Sequence, residues 1–313
     1  MTIRPLAKTP HDAFLKGADI APYLARAARR SPDAMHRLEA NGGEALLGHA
    51  LDEARAAGRL SDMDEAMARL RAAKLANHIG VAAMDLSGAG DVMDLTGHLT
   101  AFADAALEAA LQLALGKRGL KPNGLFAIAL GKMGAFELNY SSDIDIAVFY
   151  DPDIFDGGEK TAGDAASRVV RDAMRILEDV TGDGYVFRTD LRLRPDPSST
   201  PPAVSTHMAS IYYESVGQNW ERMVWIKARP CAGDKGAAEK FLKTIEPFIW
   251  RRHMDYWAIA DVQAIKRMIN AKVGTSDLDD IAPDVKLGPG GIREIEFFVQ
   301  TQQIIMGGRD EIL

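Results

Sequence analysis

The chain has 313 residues, 47% of them hydrophobic and 26% charged, with a formal net charge of −7. This is an ordinary globular balance, and the length points to two or three structural units with a core that needs no stapling. The negative charge disfavours a broad basic surface for nucleic acid, while leaving room for local basic clusters that grip phosphates.

Cys231 is the only cysteine, so no internal disulfide can form, which fits a reducing cytoplasm. Met1 to Pro10 lacks an apolar signal region, and no stretch is expected to approach the roughly 20 apolar residues of a membrane span. Neither membrane nor nucleic acid is an expected partner.

The N-terminal third reads as helices. Leu38, Leu46, Leu47, Leu51 and Ala54 recur at helical spacing, and Met63 to Met84 continues the pattern with a basic side at Arg69, Arg71 and Lys74. A clearer helix runs from about Leu99 to Leu115, with Gly116 as its stop. After Lys121-Pro122-Asn123-Gly124 the character changes. Leu125 to Leu130 is a short apolar run bounded by glycines, hence a buried strand. Gly131 to Ser142 is a loop with one helical turn, Asp143 to Tyr150 a second strand, and Ala165 to Val180 an amphipathic helix ended by Gly182. Tyr185 to Arg194 alternates and predicts a third strand, with Arg188, Asp190, Arg192 and Arg194 on its polar face. Pro195 to Pro202 is a boundary loop. From Met208 the pattern is helical again and rich in aromatics, and the last helix follows Gly288-Pro289-Gly290-Gly291. The divisions expected are a helical region over 1–95, a catalytic core over 96–200 and a second helical region over 201–313. The abrupt end at Leu313 suggests a fragment of a longer protein.

The chemistry concentrates in Asp143-Ile144-Asp145-Ile146. Residues i and i+2 of a strand point the same way, so both carboxylates face one side while the isoleucines pack inward. Two aligned carboxylates repel unless a cation lies between them, and hard oxygen ligands suit Mg²⁺ or Mn²⁺. Phosphoryl and nucleotidyl transfer needs such a metal. Upstream, the glycines of Gly131-Lys132-Met133-Gly134 would let backbone N–H groups approach a phosphate. Downstream, Asp190 offers a third carboxylate among arginines. Alone, Asp-x-Asp is weak, since strand-start aspartates are often turn residues; the combined pattern carries the reading.

Gly131-Lys132-Met133-Gly134 through Asn139-Tyr140-Ser141-Ser142-Asp143-Ile144-Asp145 resembles the signature of the glutamine synthetase adenylyltransferase family, bifunctional enzymes that add and remove adenylyl groups. So does Val186-Phe187-Arg188-Thr189-Asp190-Leu191-Arg192-Leu193-Arg194-Pro195. Tyr212-Tyr213-Glu214, Trp220-Glu221-Arg222, Ile226-Lys227-Ala228-Arg229-Pro230 and Lys286-Leu287-Gly288 to Phe297 agree. The motif match runs from about Arg69 to Leu313 and is weak before it. The resemblance implies an α+β fold with a small mixed sheet of the polymerase-beta-like nucleotidyltransferase type, flanked by helical regions. It implies the adenylyl-removing N-terminal half: phosphate attacks the AMP–tyrosine phosphodiester of adenylylated glutamine synthetase, ADP leaves, and the PII signal protein is a regulatory partner. Asp143, Asp145 and Asp190 match the metal ligands, with Asp190 binding a second metal or acting as a base. Gly131, Lys132, Ser142, Arg192 and Arg194 are the candidate phosphate and substrate contacts, with Lys132 following Gly131 as in this family.

The remaining conspicuous residues have plainer readings. Lys227 and Arg229 suit a surface turn. Lys286 and Arg293, around the glycine-rich loop, suit either an anion site or a structural turn, and Glu294 and Glu296 are stabilised by a helix start in any case. His253 lacks a ligand-spaced partner, the aromatics from Tyr212 to Trp257 suit packing, and Cys231 lacks a nearby histidine for nucleophilic catalysis. Two other functions compete: forward adenylyl or uridylyl transfer to a protein tyrosine, against which Asp-Leu-Arg-Leu-Arg-Pro and Gly-Gly-Ile-Arg-Glu argue, and a non-catalytic regulatory module.

Overall fold

A computed structural model describes residues 5–158, 160–250, 284–286, 288 and 290–307. His253 and its neighbours lie outside the described residues, as do Tyr256, Trp257, Leu287 and Pro289. The first five elements are helices: α1 (Pro10–Ile20), α2 (Pro22–Arg30), α3 (Pro32–Ala57), α4 (Met63–Ser87) and α5 (Val92–Gly116). Their starts are chemically marked. Thr9 and Asp62 accept backbone N–H bonds at the starts of α1 and α4, and Asp91 with Asp94 forms a reciprocal capping box on α5. α5 begins seven residues before Leu99, because the box rather than the apolar stripe sets its first turn.

Then follow β1 (Leu125–Ala129), the single turn α6 (Gly131–Gly134), β2 (Ile144–Tyr150), α7 (Ala162–Glu178), β3 (Thr189–Asp190) and β4 (Ala203–Ser205). Helices α8 (Thr206–Ser215) and α9 (Asn219–Trp225) precede β5 (Arg229–Gly233), α10 (Lys235–Ile249) and α11 (Ile292–Gly307). The sheet is small and mixed, in the order β3-β2-β1-β5. β1 runs antiparallel to β2 and β5, while β3 and β4 pair parallel with successive stretches of β2.

The strands of the hairpin are buried on both faces. Leu125, Ala127, Ala129, Ile144, Ile146 and Val148 pack with α5 and α7. Phe126, Ile128, Leu130, Ala147 and Phe149 pack with Tyr213, Trp225, Phe241 and Phe248. That explains the unbroken apolar runs in strands of an antiparallel pair. Tyr213 and Trp225 are core residues, as their packing role predicts, and the Trp225 indole N–H donates to the Tyr213 hydroxyl at 3.0 Å.

Three expectations need correction. The division at 95/96 falls inside α5, and β4 and β5 bring residues beyond 200 into the same sheet, so one core runs from Leu47 to Ala232. Lys227 lies in a turn as expected, but Arg229 does not: Arg229 and Pro230 begin the strand β5, whose Cys231 is buried. And α5, at 25 residues, is long and apolar enough to cross a membrane, contrary to the expectation for this chain; 72% of its apolar window is buried within the protein.

The basic side of α4 also turns inward. Arg71 is 3% exposed and donates to the carbonyls of Met67, Asp179 and Gly184, fastening α4 to the turn after α7. His78, one helical turn beyond Lys74, is 3% exposed, with Nδ1 2.5 Å from the Tyr23 hydroxyl. Burial, with Lys74 adding to it, pushes its pKa down to about 3. In the unfolded chain the imidazole titrates near 6.5, so the unfolded state binds the extra proton between those values and stability falls as pH drops through that window. The expected slope is at most about 1.4 kcal/mol per pH unit for this one group. Urea unfolding of wild type and His78→Gln from pH 7 to pH 4 checks it: the variant should lose stability less steeply.

Candidate functional site

The two hairpin strands meet α6 and β3 at one end of the sheet. Asp145 and Asp190 are register partners across the β2–β3 pair, so residues 45 apart in sequence stand side by side. The backbone fixes this: the Ile144 N–H donates to the Arg188 carbonyl at 3.0 Å, and the Leu130 N–H donates to the Asp145 carbonyl at 2.9 Å. Asp143 lies just before β2. Burial raises the Asp145 pKa to about 6, with the negative charges of Asp190 and Asp143 adding to the rise and Lys132 opposing it. Asp190, Asp143 and Lys132 are thus near enough to Asp145 for their charges to act on it.

The outer two acids carry arginine counter-ions. Arg188 Nε donates to Asp143 at 2.5 Å, while its other nitrogens reach the Ser141 carbonyl and the Tyr185 hydroxyl. Arg192 clamps Asp190 from Nε and Nη2 and holds its carboxyl below the usual carboxylate range. The Arg192 side chain itself is 84% exposed.

The third strand is far shorter than its alternation predicts. Only Thr189 and Asp190 pair, because the Asp190 carboxylate accepts the Arg192 N–H at 2.8 Å and turns the chain. Arg188, Asp190, Arg192 and Arg194 therefore do not line one strand face. Arg194 instead donates to the carbonyls of Leu191, Pro197, Thr200 and Pro201, closing the Pro/Ser loop. Four carbonyls take most of its five N–H donors, so its place is structural rather than at a phosphate. Ser142 closes a turn as well, its hydroxyl oxygen accepting the Asn139 N–H at 3.0 Å.

Gly131 and Gly134 are required by contact. Gly131 has φ +53°, and a Cβ there would meet Asp145 Oδ2 at 2.6 Å. A Cβ on Gly134 would lie 2.0 Å from the Lys227 carbonyl oxygen and 3.0 Å from that of Ala129. The α6 backbone is consequently pressed between the Asp145 carboxylate and the approach to β5.

Sequence reasoning missed the brace behind this turn. Arg229 forms a two-pronged pair with Asp104 of α5 at 2.7 and 2.9 Å, donates to the Met133 carbonyl at 2.9 Å, and lies 3.9 Å from the ring centre of Phe136. The available signal was Asp104 itself, an acid inside an apolar helix that needs a buried cation. Lys227 bridges Glu137 and Glu296, each at 3.1 Å, and so ties α11 to the same region. Around Lys286 and Arg293 the loop holds itself: the Gly290 N–H donates to Glu294 and the Arg293 N–H to the Lys286 carbonyl.

Asp143, Asp145 and Asp190 offer carboxylate oxygens, a hard donor type, with Asp143 and Asp190 each paired to an arginine. This fits a hard divalent cation. The sequence reading also missed a second group. At the far end of β2, Asp151, Asp153 and His207 place one donor atom each within 4.8 Å of one another.

Residues 15–244 match the family described as Glutamate-ammonia ligase adenylyltransferase, and residues 263–311 match the one described as PII-uridylyltransferase. The first match begins at residue 15, well before Arg69, where the motifs place its start. The second contains Gly290-Gly291-Ile292-Arg293-Glu294, so that segment does not separate the two chemistries as expected. Similar proteins named as bifunctional glutamine synthetase adenylyltransferase/adenylyl-removing enzymes include one from Caulobacter vibrioides, 49% identical over 92% of this chain and 31% of its own length. Others are from Rhizobium meliloti, 46% identical over 96% of this chain and 33% of its own length, and Xanthobacter autotrophicus, 43% identical over 100% and 34%. The chain thus spans about a third of the length of these relatives.

The Gly134 contact is testable. Gly134→Ala must displace backbone rather than a flexible side chain, so it should cost about 1–3 kcal/mol, read as a lower urea midpoint at unchanged slope.

Proposed function

The chain belongs to the glutamate–ammonia ligase adenylyltransferase family, and from that premise we propose that it removes adenylyl groups, cleaving the AMP–tyrosine phosphodiester of adenylylated glutamine synthetase with inorganic phosphate. The observation that carries this reading is the pairing of Asp145 with Asp190 across β2 and β3, next to Asp143 and the Gly131 turn. Asp143, Asp145 and Asp190 would hold a divalent cation, Mg²⁺ or Mn²⁺. Bound there, such a cation supplies charge neutralisation at the phosphate under attack.

A phosphate oxygen forms the new bond to the α-phosphorus, the bond from phosphorus to the tyrosine oxygen breaks, ADP departs, and the tyrosine oxygen takes a proton. The direction is favoured by the basicity available. Phosphate is already anionic near neutral pH, so it needs little help from a base, whereas a tyrosine hydroxyl as acceptor must lose its proton. Asp190, held low by Arg192, is a poor base. Lys132 beside Asp145, the Gly131 backbone and the exposed Arg192 would meet phosphate oxygens. Arg194 is left out of the contact set, and Ser142 enters it through its hydroxyl proton.

A cytoplasmic setting and a PII signal protein as regulatory partner accompany this reading. Forward transfer to a protein tyrosine is the second reading, favoured by the match of residues 263–311 to PII-uridylyltransferase.

The test incubates the chain with adenylylated glutamine synthetase, phosphate and Mg²⁺ and follows ADP by chromatography. ADP release should be abolished by EDTA and reduced at least about a hundredfold in Asp143→Asn, at an unchanged melting temperature. Full activity in that variant would rule out the metal-ligand role. AMP transfer from ATP onto the unmodified enzyme, with no ADP release from the adenylylated one, would establish the forward direction instead.

A further inference from the structure

Beside the carboxylates lies a cationic cleft that the proposed reaction does not use. Helices α2 and α4 and the loops leading into β2 and β3 enclose about 350 Å³, lined by Tyr23, Arg30, Arg71, Lys74, Tyr140 and Tyr185 together with His78, Ser141 and Asp183. Three lining cations, Arg30, Arg71 and Lys74, face one lining acid, Asp183, leaving two net positive charges. Asp183 stands 3.6 Å from Arg30, at the rim. Arg71 spends its donors on carbonyls but keeps its charge.

Lys74 is the anomaly. Its ammonium donates to the Tyr185 carbonyl at 3.2 Å and lies 4.4 Å from the centre of the Tyr185 ring. Among the described residues no carboxylate lies within ion-pair distance of it. Burial pushes its pKa down to about 8, with the charges of Arg188 and Arg71 adding to the shift. A buried ammonium among like charges is costly unless an anion compensates it. The neighbouring groups cannot do so. Burial holds His78 neutral, and the Tyr23 and Tyr140 hydroxyls stay protonated because burial raises both.

We propose that this cleft is an oxyanion site, separate from the carboxylate centre, that takes the phosphate group of a small molecule. Two net positive charges match the charge of about −1.5 to −2 that a phosphate ester carries near neutral pH, and an ammonium beside guanidinium groups suits phosphate oxygens. Arg188 connects the two centres, bonding Tyr185 and Ser141 on the cleft side and Asp143 on the other. Occupancy of the cleft therefore bears on the counter-ion of a carboxylate in the active centre.

The full chain, without added divalent metal, is titrated with inorganic phosphate at constant ionic strength and followed by ³¹P line width. Saturable one-site binding is expected, weakened at least tenfold in Lys74→Met, retained in Lys74→Arg and unchanged in Asp145→Asn. Arg30→Ala, at the exposed rim, should weaken it several-fold and serves if Lys74→Met does not fold. A parallel titration with AMP distinguishes the source: tighter, Lys74-dependent binding of AMP identifies a nucleotide phosphate, and binding of phosphate alone identifies the free anion. No saturable binding, undiminished binding in the folded Lys74 and Arg30 variants, or loss in Asp145→Asn overturns the proposal. The assay needs neither metal nor turnover, so its outcome is independent of whether ADP is released.

Discussion

Two like charges held side by side are the constraint around which this molecule is arranged. Asp145 and Asp190 occupy facing positions on parallel strands, where like-charged neighbours oppose pairing. The backbone bonds of β2 with β1 and with the Arg188 carbonyl hold them together regardless, and burial, with the two neighbouring acids adding to it, raises the Asp145 pKa to about 6. Burial and repulsion both work against the charged form, and a divalent cation bound there would relieve both. The exposed arginines that accompany the outer two acids are screened by water and offset that charge only weakly.

Three buried or half-buried arginines serve a different purpose. Arg71, Arg194 and Arg229 each gather backbone carbonyls from separate segments: the turn after α7, the Pro/Ser loop and α6. A planar guanidinium with five donors suits this work, and lysine with its single nitrogen does not replace it. Arg229 matters most for the carboxylates. Through Asp104 it anchors α6 to α5, so that the glycine turn abutting Asp145 rests on a long apolar helix of the core.

The layers on either side of the sheet supply rigidity. One face of the hairpin packs on α5 and α7, and the other on a cluster that includes Phe149 and Phe241, with ring centres 4.6 Å apart. Aromatic contacts of this kind add to area burial. Helices α3 and α4 contribute to this core, while α1 and α2 pack with them in a separate apolar cluster, and the inward basic side of α4 forms one wall of the cationic cleft.

Local chemistry was written in the sequence. Period-3.6 stripes marked α3, α4, α5 and α7, a glycine-bounded apolar run marked β1, and the run from Asp143 marked β2, although the strand starts at Ile144 and Asp143 lies just before it. What pairs with what was not written there. The alternation of Tyr185 to Arg194 could not reveal that Asp190 would cap its own turn and end the strand after two residues, nor that Arg194 would fold back onto carbonyls. β5 escaped because Lys-Ala-Arg-Pro has the composition of a turn, and only its antiparallel pairing with β1, about a hundred residues earlier, makes it a strand. Periodicity and motif spacing report interactions within one segment; charge pairing and strand register between distant segments are settled only when tertiary packing brings them together.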